Sequence, residues 1–286
     1  RAVGRVVAIG GAKRGLGVRG LDLMLTQTPL AVMRPYLDTL PFAGMLEGRL
    51  RLDGFLDAMR VAGDLRLADA LVPGQPISTF RTDGVIHFGG DEGAVFDGFQ
   101  LLDASVALGT VRRVVPAMLL PGQLHLVGRL NGPWQNARFD GLAEHMAPNQ
   151  AMSRLLGAVR LDTRREVLGV EMDATFDRLS FDALRSGYPS LTPHGGLTGR
   201  IVTRGSLESL WLDADVTGDL GTIRALGTIT AMDPRWAADS LDLTFSRVDL
   251  DALLGKGGST ALNGRMRLHG AIDSLVPPDG SVVMDL

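Results

Sequence analysis

The chain has 286 residues, 29 basic against 32 acidic side chains, a formal charge of −3, no Cys and 37 Gly. That balance lacks the basic excess needed to neutralise a phosphate backbone, so nucleic acid is excluded as an expected partner, and zero Cys excludes disulfide frameworks and thiolate metal sites. With 45% apolar but only 5% aromatic residues, the profile is that of a turn-rich β protein.

In chain order, the start at Arg1 and the break in mid-pattern at Val282–Leu286 lead to the expectation of an internal piece of a longer protein. Ile9-Gly-Gly-Ala-Lys-Arg-Gly-Leu-Gly17 has neither the G-x-G-x-x-G order nor the Gly-Lys-Ser/Thr ending of a phosphate loop. Pro29 to Leu40 has helical spacing and is followed by Gly48-Arg-Leu-Arg-Leu-Asp-Gly54. Thr110 to Leu120 precedes Gly122-Gln-Leu-His-Leu-Val-Gly128, and Phe181 to Leu191 precedes Gly199-Arg-Ile-Val-Thr-Arg-Gly205. Asp249 to Leu254, with Asp249 as a predicted N-cap, precedes Gly264-Arg-Met-Arg-Leu-His-Gly270. The apolar run Val114–Leu120 contains Pro116 and is far below the roughly 20 residues that span a bilayer.

Parity inside the glycine pairs carries the reading, because a strand sends successive side chains to opposite faces. One face collects Leu50, Leu52 and Leu56, then Leu124, Leu126 and Leu130, then Ile201, Thr203 and Leu207, then Met266, Leu268 and Ile272. The other is polar, with Arg49, Arg51, Arg200, Arg265 and Arg267, broken only by Val127 and Val202. Val61–Leu67, Leu212–Gly218 and Leu241–Phe245 alternate in the same way. The expectation is an all-β chain: a long curved antiparallel sheet, an open solenoid-like groove, with short helices between repeats. A single elongated array is predicted, with repeats near 28–105, 106–178, 179–247 and 248–286.

Such an oily face can be the filled interior of a structural or adhesive β-solenoid. It can also be a trough for acyl chains: five strand residues reach roughly 16 Å at 3.3 Å each, close to half of a bilayer core. Carrying a two-chain lipid through water exposes about 30 methylenes at roughly 0.8 kcal/mol each, a barrier on the order of 20 kcal/mol that a greasy lining removes.

The cadence Leu46-Glu-Gly-Arg-Leu-Arg-Leu-Asp-Gly-Phe-Leu56 with Met59–Ala70, and Val248–Leu254 with Leu262–Gly270, resembles the translocation and assembly module TamB and the wider AsmA-like family. The resemblance extends over nearly the whole chain and implies a periplasmic, taco-shaped β groove held to the inner membrane by an anchor outside this sequence. It implies phospholipid acyl chains as cargo between inner and outer membranes, a role in outer-membrane protein assembly, and a BamA-like barrel protein as partner. Leu50, Leu52, Leu56, Leu124, Leu126, Leu130, Ile201, Leu207, Met266, Leu268 and Ile272 are then the expected lipid-groove residues.

No catalytic, cofactor or metal site is expected. The five His residues, His87, His125, His145, His194 and His269, are scattered without metal spacing, no Ser stands in a G-x-S-x-G elbow, and the carboxylates alternate with Leu or Val as solvated strand positions. A carbohydrate-active β-helix enzyme with carboxylates from neighbouring coils is the remote alternative.

Overall fold

The computed structural model describes residues 2–9, 15–33, 43–88, 92–232, 235–249, 251–252, 259–273 and 276–285. The chain is all-β, and its strands lie in the sheet in sequence order, each beside its predecessor and its successor, without closure. It divides into two compact units, the first formed by residues 1–118 and 122–143, the second by residues 119–121 and 144–286.

The first unit holds β1 (Ala2–Ile9), β2 (Gly15–Pro29), β3 (Gly44–Phe55), β4 (Ala58–Asp69), β5 (Ile77–Phe88), β6 (Ala94–Ala107), β7 (Gln123–Pro133) and most of β8 (Arg138–Met146). The second holds β9 (Ser153–Asp162), β10 (Gly169–Ser180), β11 (Gly196–Ser206), β12 (Ser209–Gly218), β13 (Gly221–Met232), β14 (Arg235–Val248), β15 (Leu262–Asp273) and β16 (Val276–Asp285). Antiparallel registers put like beside like: Leu23 opposes Leu50, Leu46 opposes Leu67, Leu52 opposes Val61, and in the second unit Leu243 opposes Met266 and Leu241 opposes Leu268. A slip of one residue would turn every one of these side chains to the other face, so the two-residue period specifies the pairing.

The helical expectations shrink. Of Pro29 to Leu40, Leu30–Met33 is a 3-10 turn and residues 34–40 lie outside the described residues, while α1 is only Leu108–Val111 and α2 only Phe181–Arg185. Pro116 removes a donor from the second predicted helix and Gly187 and Pro189 stop the third, so neither can propagate. Ser180 caps α2, accepting the Ala183 amide at 3.2 Å. Asp249 accepts the amide of Asp251, as an N-cap would, but the end of that helix at Leu253 and Leu254 lies outside the described residues, as do residues 10–14 of the glycine-rich loop.

Within each unit the long excursions leave from the same end of the strands, an end they share in the second unit with the two-residue turn 219–220. In the first unit residues 30–43 and 70–76 leave from one end, and the two-residue turn 56–57 closes the other. In the second, residues 181–195 and 249–261 leave from one end, and the turn 207–208 lies at the other. Four strands, β11 to β14, separate the two long excursions of the second unit. An even count returns the antiparallel chain to the same end, which is why the excursions share it.

Candidate functional site

In the first unit Leu52, Leu124, Leu126 and Leu130 are half-buried on one face of β3 and β7, with Leu50 buried among them at 9% exposure. The registers continue this face through Leu21, Leu23 and Leu25 of β2 and through Val61 and Leu65 of β4. In the second unit Ile201, Met266 and Leu268 are half-buried on the equivalent face of β11 and β15, continued by Leu241, Leu243 and Phe245. Along β15 every inner residue from Leu262 to Gly270 is half-buried and every outer one exposed. Leu56 and Leu207 stand in the tight turns, at the rim: the Leu56 amide donates to Leu16 and its carbonyl accepts from Phe88, while the Leu207 amide donates to Leu168 and its carbonyl accepts from Ala231. Ile272 belongs to β15 opposite Trp236, and its side chain lies outside what the structure describes.

A recurring device bends the strands, and sequence parity missed it. Asp53 accepts the amide of Gly20, Asn131 that of Gly98, and Asn263 that of Arg247, at 2.8, 2.9 and 3.0 Å. The three donors have φ of 55°, 56° and 52°. In each case two residues of one strand oppose one of its neighbour: Val18 pairs with Gly54 and Leu21 with Leu52, leaving Arg19 and Gly20 against Asp53. Phe96 with Gly132 and Phe99 with Leu130 frame the second bulge, Phe245 with Gly264 and Val248 with Leu262 the third. The surplus residue falls on the polar face each time, lengthening it and bending the strand away from it. The signal in the sequence is an Asp or Asn directly before a glycine, at Asp53-Gly54, Asn131-Gly132 and Asn263-Gly264.

The outer face is laced by cross-strand ion pairs. Arg60 grips Asp83 through two hydrogen bonds, Arg200 grips Asp173 in the same manner, and Arg267 reaches Asp242 at 2.7 Å. The hydrogen bonds from Arg60 hold the Asp83 carboxyl below its ordinary range. Of the apolar exceptions on this face, Val127 is exposed, whereas Val202 is buried, set between Asp173 and Asp213 in the register. The polar exception on the inner face, Thr203, is 4% exposed and its Oγ1 has no hydrogen-bond partner among the described residues.

The oily face is not uniform. In the first unit Phe99, Leu101, Ala104 and Phe139 are buried together, with Phe80, Phe96, Leu126 and Leu130 packed against them. In the second unit Leu197, Val216 and Leu220 form a smaller cluster that Phe181 of α2 and Ala252 cover at the excursion end. Neighbouring excursions there are tied, the His194 amide donating to the Ala252 carbonyl and the Leu119 amide to the Tyr188 hydroxyl.

The histidines have separate partners. His125 meets Asp103, His194 meets Asp182, His145 donates to the Pro121 carbonyl, and His87 and His269 donate to the carbonyls of Asp57 and Asp239. Among the described residues no helix is long and apolar enough to cross a membrane. No protein-family model, curated protein or solved structure matches this chain.

Proposed function

We propose that the chain is a stretch of a periplasmic, bridge-like lipid conduit that shelters phospholipid acyl chains on its concave apolar face between the inner and outer membranes. The observation that carries this reading is the half-exposure of the inner face. Leu21, Leu23, Leu25 and Leu52 in the first unit, and Leu241, Leu243, Met266 and Leu268 in the second, are neither on the solvated side nor sealed beneath another layer. In a self-filled solenoid they would be covered, since uncovered apolar surface costs roughly 25 cal/mol per Å². Hydrocarbon is the occupant that removes that cost without asking for a hydrogen bond.

Conduction of this kind needs no reacting group. A tail sliding from Leu241 toward Leu268 exchanges one apolar contact for another, so the free energy stays level along the path, whereas release into water costs about 0.8 kcal/mol per methylene. The arginine-rich outer face keeps the sheet in water, and the resemblance to the TamB and AsmA-like family supports the envelope setting, an inner-membrane anchor outside this chain and a BamA-like barrel as docking partner. A structural solenoid is the second reading, favoured by the phenylalanine cluster of β5 to β8.

Native mass spectrometry of the purified chain tests the proposal. Co-purifying phospholipid is expected, and Leu268→Arg is expected to lose it while circular dichroism stays that of the parent, because an arginine head on a half-exposed face can reach water. Protein that is empty in both forms would refute the conduit.

A further inference from the structure

Glycines line the inner face of the first unit, but they are used in two different ways. On β3 a Cβ on Gly48 or Gly54 would meet only backbone, the carbonyls of Asp64 and Ala58 and the Cα atoms of Leu65 and Met59. At β5, β7 and β8 the glycines are seats for rings. A Cβ there would also meet backbone, the Phe99 Cα at 2.5 Å from Gly84, the Asp140 carbonyl oxygen at 2.4 Å from Gly128 and the Val127 carbonyl oxygen at 2.3 Å from Gly141, but beside it a ring: Phe99 at 2.9 Å, Phe139 Cε2 at 2.8 Å and Phe139 Cζ at 2.9 Å. Two rings thus occupy the floor that three side chains would otherwise fill, and they are 6% and 8% exposed. Phe96 of the same strand as Phe99, 5.4 Å from it between ring centroids, and Phe80 of β5 pack against them.

We infer that this inlaid cluster of Phe99 and Phe139, with Phe96 and Phe80 against it, is a stopper in the groove of the first unit: a stretch that hydrocarbon does not enter until the rings move. The inference rests on the lipid-conduit reading and adds a gate to it. On the β2–β3 side Leu23 and Leu52 remain half-exposed and available to a tail. At β5 to β8 the space a tail would need is taken at close-packed density by the protein's own side chains, and dispersion contacts there are already made. Passage along this unit therefore requires rotation of the rings, and their packing sets its rate.

The test uses a diazirine-bearing phenylalanine placed singly at positions 23, 52, 99 and 139, with the purified chain incubated with vesicles of phosphatidylethanolamine and phosphatidylglycerol and then irradiated. Lipid adducts are expected at positions 23 and 52 and lost at 99 and 139. Phe139→Ala in the chain carrying the probe at 99 is expected to restore an adduct there. If that variant does not fold, Phe96→Ala, which removes a half-buried ring, serves in its place. Adducts at 99 and 139 as strong as those at 23 and 52 would overturn the stopper and leave the conduit standing, as would failure of ring removal to open position 99. Adducts at none of the four positions would overturn both.

Discussion

At the scale of single residues, the side chains that decide this sheet are small. Asn131 accepts the Gly98 amide and so pins a bulge whose donor residue would otherwise hold a left-handed backbone without support. Asn131→Ala is expected to destabilise the first unit by about 1 kcal/mol, the usual worth of one such bond, with faster hydrogen exchange at Gly98 as the direct readout. Gly48 is constrained more severely: its φ is 125° and an added Cβ would lie 2.1 Å from the Asp64 carbonyl oxygen. Gly48→Ala is expected to cost on the order of 1–3 kcal/mol, measured by urea unfolding, and Gly74→Ala, in open space though also at positive φ, is expected to cost less. Parity of the leucines was legible in the sequence because it needs only the two-residue period. The seats beneath Phe99 and Phe139 were not: Gly141 shares a strand and a face with Phe139, but Gly84 and Gly128 meet the rings from other strands, through registers that local pattern does not reveal.

At the scale of elements, the excursions obey a different rule from the strands. Periodicity predicted helices of ten residues or so, yet α1 and α2 are about a turn each. Short helices are marginal by themselves and survive only where packing supports them, as Phe181 does for α2 by covering Leu197 and Val216. The excursion after β14 is held instead by Asp249, which accepts the amides of Thr260 and Asp251 and the Ser259 hydroxyl. Those donors, the Thr260 amide foremost, hold its carboxyl below the ordinary carboxylate range. A depressed folded-state pKa stabilises fully above the unfolded value of about 3.9 and is lost as pH falls through the folded value. Protection of the Thr260 amide is therefore expected to be flat near neutrality and to fall only below about pH 4, and Asp249→Ala is expected to remove it at neutral pH. Retained protection in that variant would show that the excursion is held by other contacts.

At the scale of the whole chain, alternation of Leu with Arg or Asp, repeated through 286 residues with 37 Gly, was enough to establish an all-β chain with one greasy and one charged face. That conclusion needs no long-range information: side-chain direction in a strand follows from the backbone alone. How many strands separate the excursions, where the bulges fall and where the oily face is filled were decided only in three dimensions. Curvature depends on which strand carries the surplus residue of a bulge, as Arg19 and Gly20 do against Asp53. Filling depends on which rings cross to which glycines, as Phe139 does over Gly128. Both are properties of pairs of residues brought together by register, and register is a choice the strands make jointly.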